Sequence, residues 1–125
     1  MSMHNTFVAT YAQPRLAEID LEKMQQAGFD LGKLRIVTHD PKRIAEARRL
    51  APVLGSFADL DQNFFGCIPE QDIADFEAEL GTGHLFLIAH GKPEEIEQAK
   101  HIADSTHPTS WDGLADATIY YGCQD

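Results

Sequence analysis

The chain is expected to form an α+β domain: a ferredoxin-like four-stranded sheet made from two β-α-β halves, with a helical insertion between them. Three observations lead there. Residues 7–38 and 84–122 each pass from a β-rich stretch through an amphipathic helical stretch to a second β-rich stretch. Right-handed crossovers place both connecting helices on one face of the shared sheet. A chain of 125 residues, 43% hydrophobic and 24% charged, can bury a core of its own without disulfides or metals to staple it. Residues 1–125 are therefore read as a single domain, with the first half at 7–38, the insertion at 39–83 and the second half at 84–122.

The first strand is placed at 7–12, where Phe7, Val8, Thr10 and Tyr11 favour extended backbone. Pro14 suits the first turn of a helix. Leu16, Ala17, Leu21, Met24 and Ala27 make its apolar stripe, and Gly28 ends it. Residues 34–38 form the second strand. Asp40 followed by Pro41 opens a short basic helix running to about Leu50, where Pro52 stops it. Residues 53–68 lack clear periodicity and are read as irregular. Pro69 opens a helix whose stripe is Ile73, Phe76 and Leu80, with Glu70 and Asp72 complementing its positive end and Gly81 ending it. Residues 84–90 are the plainest strand. The following helix, 93–106, buries Ile96, Ala99 and Ala103, and residues 117–121 form the last strand.

Both sides of these strands carry apolar residues. Leu85, Leu87 and Ala89 face one way; Phe86 and Ile88, flanked by His84 and His90, face the other. A half-solvated sheet alternates more cleanly. Two arrangements satisfy the second face: residues 51–66 fold over it, or a homodimer packs through the open sheet face. The homodimer is the favoured expectation, because exposed apolar patches mark interfaces.

The formal net charge is −10. Nucleic acid and anionic membranes are disfavoured partners for so acidic a chain. The charge is uneven: residues 33–49 hold six basic residues against two acidic ones, whereas residues 50–125 hold two against fourteen. Such asymmetry can steer a partner or hold subunits together. Cys67 and Cys123 form no CxxC pattern, and the N-terminus lacks a basic start followed by an apolar stretch, so a cytoplasmic chain with reduced thiols is expected. The longest strictly apolar run, Leu85 to Ala89, is far short of the roughly 20 residues a spanning helix needs.

The segments FVATY at 7–11, LEKMQQAGFDLGKLRIV at 21–37, IPEQDIADFEAEL at 68–80 and GHLFLIAHG at 83–91 resemble a bacterial general stress protein family, a domain of unknown function with two β-α-β halves. The resemblance covers about two thirds of the chain. It implies a stress-associated role and lends no catalytic residues. Family members of this kind carry a long Gly-rich apolar segment between the halves, suspected of touching membrane. Here that stretch, residues 51–67, is short and contains Asp59 and Asp61, so no membrane role is expected.

Chemical signals are sparse. The six histidines show no HxH, HxxxH or HExxH spacing. His84 and His90 lie about 20 Å apart along an extended strand, too far to share an ion, so no metal and no cofactor are expected. No catalytic motif stands out: there is no nucleophile elbow, no paired-carboxylate motif and no nucleotide fingerprint. Trp111 and Asp112 fall in a loop before the last strand. The candidate ligand residues are His39, Lys42, Arg43, His90 and Lys92. Segments 38–43 and 90–92 each combine a strand end, a turn and a helix start with cations, an arrangement suited to a small anion. The leading expectation is a stress-associated or regulatory module acting by self-association or by binding a partner or small molecule. The alternatives are a small enzyme of the dimeric α+β barrel type and a small-anion sensor.

Overall fold

The computed structural model describes residues 3–11, 13–44, 49–60, 68–106 and 116–124. Its elements are β1 (Met3–Tyr11), α1 (Pro14–Gln26), β2 (Leu34–Val37), β3 (Val53–Leu54), α2 (Glu70–Gly81), β4 (Leu85–Gly91), α3 (Pro93–Thr106) and β5 (Asp116–Gln124). The architecture is α+β, with one mixed sheet in the order β3-β2-β4-β1-β5. β1 pairs antiparallel with both β4 and β5, and β2 pairs antiparallel with β4. β3 adds a parallel edge to β2.

The sheet thus has five strands where four were expected. The fifth comes from residues 53–68, read from sequence as irregular. A two-residue strand is too short to show alternation, and it is held by Ile36 N–H to the Pro52 carbonyl (3.0 Å) and Thr38 N–H to the Leu54 carbonyl (2.9 Å). β1 starts four residues earlier than expected, because Met3 to Thr6 are mostly polar and give no apolar signal. β5 reaches Gln124 rather than residue 121.

Helix ends follow the local chemistry. Gly28 takes φ +83° after α1, and Phe29 N–H closes on the Met24 carbonyl at 2.9 Å, a Schellman-type finish. α2 includes Gly81, and the left-handed position falls two residues later at Gly83, φ +100°. The expected basic helix after Asp40 is in its described part a four-residue 3-10 turn, Pro41–Ile44; residues 45–48 lie outside the described residues.

Two apolar cores lie on opposite faces. The first joins Phe7, Ala9 and Tyr11 of β1 and Leu85, Leu87 and Ala89 of β4 to Ala17, Leu21 and Met24 of α1 and Ile96, Ala99 and Ala103 of α3. The two crossover helices share this face. The second joins Val8, Val37, Phe86 and Ile88 of the sheet to Phe57, Leu60, Ile68 and Leu80 of the insertion. Phe86 meets the Phe57 ring edge-on at 4.9 Å and the Phe76 ring at 5.3 Å. The insertion therefore covers this part of the second face within a single chain, and Val8, Val37, Phe86 and Ile88 are buried without a second copy. Among the described residues, no helix is long and apolar enough to cross a membrane.

Candidate functional site

The five ligand candidates fall into two groups at opposite ends of the sheet. β2 carries the chain upward from Leu34 to Val37, where it pairs with Phe86. Residues 38–43 therefore leave the same end of the sheet at which β4 begins. β4 then runs the other way to His90 and Gly91, beside Thr6 and Asn5. Five residues of strand separate Phe86 from Gly91, about 17 Å. The structure does not bring His39, Lys42 and Arg43 together with His90 and Lys92.

At the upper end, the Thr38 hydroxyl accepts from Asp40 N–H at 3.2 Å, and the Asp40 carboxylate accepts from Lys42 N–H at 3.2 Å. The side chain of Asp40 caps the turn, as its place before Pro41 suggested. An Arg43 guanidinium nitrogen donates to the Gly83 carbonyl at 3.4 Å. His39, Lys42 and Arg43 are all exposed.

At the lower end, α3 begins beside Gly91. The Glu95 carboxylate reaches back to accept from Lys92 N–H (3.0 Å) and receives both of its oxygens' contacts from Lys33 Nζ (2.9 and 3.1 Å). This is half of a capping box, closed by an ion pair. The hydrogen bond from Lys33 holds the Glu95 carboxyl below its usual range, aided by Lys92 N–H and the two lysine charges against a burial effect of opposite sign. Gly91 permits a close approach, and the group that approaches is this carboxylate: a Cβ on Gly91 would sit 2.9 Å from Glu95 Oε1. An internal carboxylate therefore fills the anion position at the start of α3.

His90 belongs to a different set. Its side chain lies on the second face of the sheet, where Nδ1 is 2.9 Å from Thr6 Oγ1, its register partner across β1–β4. The His4 ring packs against the His90 ring, with centroids 5.1 Å apart and planes inclined by 23°. Thr6 and His90 are buried, and so is Nδ1 of His4. Across β1, the Tyr120 hydroxyl donates to Asp72 at 2.7 Å, tying β5 to the first turn of α2. Thr6 pairs with Tyr120 and His4 with Cys123 in the β1–β5 register. Two imidazoles, a threonine hydroxyl and a phenol–carboxylate pair thus gather where the second apolar core ends.

Family models, curated proteins and solved structures give no match to this chain.

Sequence reasoning selected His90 for its turn and missed His4 and Thr6. Extending the alternation of β1 backwards from Val8 would have put both on the face of Ile88 and His90. The other histidines stand apart. His84 meets the Thr82 hydroxyl at 2.8 Å, and His39 and His101 are exposed. Among the described residues, no three His, Cys, Asp or Glu side chains converge as a metal cluster. Cys67, His107, Trp111 and Asp112 lie outside the described residues. Elsewhere, an open recess beside α1 is lined by Glu22, Gln25, Gln26, Arg49 and Leu50, a mixed-charge surface with no convergent chemistry.

Proposed function

We propose that this protein is a stress-associated or regulatory module of ferredoxin-like plan that acts by self-association along the outer edge of β5. The stress association rests only on the resemblance of residues 7–11, 21–37, 68–80 and 83–91 to the stress protein family. The ferredoxin-like reading is supported by the order β2-β4-β1-β5, which two β-α-β units sharing a sheet generate, with β3 as an addition.

The observation that carries the self-association is the edge itself. β5 is nine residues long, stands at the end of the sheet and pairs on one side with β1. Natural edges are usually blunted by proline, lysine or short length. β5 has none of these: residues 117–123 read ATIYYGC, without a charge. Tyr121 is 68% exposed, the only large hydrophobic among the described residues to be so.

The occupant that fits is a second copy. Antiparallel pairing of β5 with itself, centred on Tyr120, sets Ile119 opposite Tyr121 and Asp116 opposite Gln124. Aromatic against β-branched is a favourable cross-strand pair. This relocates the homodimer expected from sequence: the face that suggested it is occupied by the insertion, and the edge offers the pairing instead. Light scattering across a concentration series tests the reading. A dimer that Tyr121→Lys converts to monomer supports it; a wild-type monomer at every concentration rejects it.

The second core also bears on the enzyme alternative. Val8, Val37, Phe57, Phe86 and Ile88 pack there with at most 1% exposure each, which leaves no substrate-sized chamber among them.

A further inference from the structure

We propose that Tyr121 is a site of oxidative modification: across two self-paired β5 edges the two Tyr121 phenols are diagonal neighbours, and one-electron oxidation couples them into a dityrosine that locks the dimer covalently. This inference rests on the self-pairing of β5 and deepens it.

The chain has three tyrosines, and the fold gives each a different environment. Tyr11 is fully buried and donates to Asp20. Tyr120 is half-buried, packs against the second core and donates to Asp72 at 2.7 Å. Tyr121 is 68% exposed. Of the three phenols, it is the one laid open to an oxidant in solvent.

Tyr120 and Tyr121 serve opposite faces of the sheet. Ile119 packs against the first core and Tyr120 against the second. Lys100 of α3 is held above its usual pKa by its hydrogen bond to Asp104 and, in smaller part, by Tyr121. Tyr121 therefore stands on the helix-bearing face with Ile119.

Pairing centred on Tyr120 sets Tyr121 of one copy opposite Ile119 of the other. The two Tyr121 residues are then diagonal neighbours on one face, about 7–8 Å apart, a separation that aromatic side chains span. The two Tyr120 residues are directly opposed on the other face, but each hydroxyl is held by Asp72 of its own chain.

The oxidant is a hydroperoxide acting through a one-electron relay of the haem peroxidase class. Each phenol gives up one electron and its hydroxyl proton. The two radicals join through a new carbon–carbon bond between ring positions ortho to the oxygens. The hydrogen on each of those carbons then moves to its own oxygen and restores the phenol. Two hydrogen atoms leave in all, and the peroxide takes up both and becomes two waters.

The test treats the whole chain with peroxidase and limiting hydrogen peroxide. The expected products are dityrosine fluorescence and a dimer on denaturing gels that survives thiol reductant, which splits any disulfide. Mass spectrometry should map the link to Tyr121 of both copies. Tyr121→Phe keeps an apolar ring on the edge, so it should still dimerise by light scattering yet lose the link. Tyr120→Phe should keep it. A link that persists in Tyr121→Phe, or maps to Tyr11 or Tyr120, overturns the proposal. A dimer by light scattering that yields no link overturns it too, and leaves the β5 pairing standing. A chain that is monomeric before oxidation overturns both, and any link it then forms is collisional.

Discussion

The hydroxyl of Tyr11 donates to the carboxylate of Asp20 inside the first core, with both residues fully buried. Tyr11 ends β1 and Asp20 sits mid-way along α1, so the bond fixes the rotation of the helix over the sheet. Asp20 occupies a position on the buried stripe between Ala17, Leu21 and Met24. The phenol meets the carboxylate through one of its oxygens, Oδ2, which offsets part of the cost of placing a carboxyl group in an apolar core.

Replacing Tyr11 by Phe removes the phenol donor while keeping the ring. The expected loss is about 1–3 kcal/mol, the cost of depriving a buried acceptor of a partner. Urea denaturation measures it. The pH dependence has a definite sign. Burial, then the Asp20 charge, then the hydrogen bond to Asp20 raise the Tyr11 pKa well above its ordinary value of 10.0. The folded state therefore keeps its proton where the unfolded state loses it. Stability from this residue is complete below about pH 10 and declines as pH rises beyond that. Tyr11→Phe abolishes this alkaline decline.

The second core predicts that the insertion is part of the folding unit. Phe86→Ala should cost about 3–5 kcal/mol, as for other buried aromatics cut to alanine. Phe76 is half-buried, so Phe76→Ala should cost clearly less. Chemical denaturation at low protein concentration checks both. A negligible loss for Phe86→Ala would mean that the insertion does not pack on the sheet.

At the start of α3, Glu95→Gln removes the ion pair with Lys33 and weakens the cap. The pair is partly exposed, with side-chain exposures of 36% and 27%, so the cost should stay below about 1 kcal/mol. Because the Glu95 pKa is lowered from 4.5, its contribution is present above about pH 4.5 and is lost as pH falls through the folded-state value. Gly91→Ala pushes a methyl group against the same carboxylate. The two changes are therefore expected to be non-additive in thermal unfolding.

Much of the fold was legible in the sequence because its signals are local. A short unbroken apolar run marked β4, the 3.6-residue stripe marked α1 and α3, and Pro14, Gly28 and Pro93 marked helix ends. What escaped was set by contacts distant in sequence. β3 exists only as a partner for β2. The polar start of β1 is a strand because β4 and β5 bracket it. Asp20 lies in the core because of Tyr11. The site followed the same division. Asp40 and Lys92 begin turns as expected, but strand direction puts them at opposite ends of the sheet. His4, Thr6 and His90 meet only once β1 and β4 are in register.

Self-association along β5 carries a salt signature. Two chains of net charge −10 repel one another, and added salt screens that repulsion over a Debye length of about 10 Å at 0.1 M. The dimer should therefore strengthen as salt rises, read by light scattering at fixed protein concentration. Weakening with salt would indicate an interface held by opposite charges.

Backbone hydrogen exchange along β5, followed as protein concentration rises, tests the central claim most directly. Amides of Ala117 to Cys123 that point away from β1 have no neighbouring strand among the described residues and become hydrogen-bonded in the paired edge. The account predicts that their exchange slows with concentration and reverts in Tyr121→Lys, while exchange in β4 is unchanged. Exchange along β5 that is independent of concentration would contradict it.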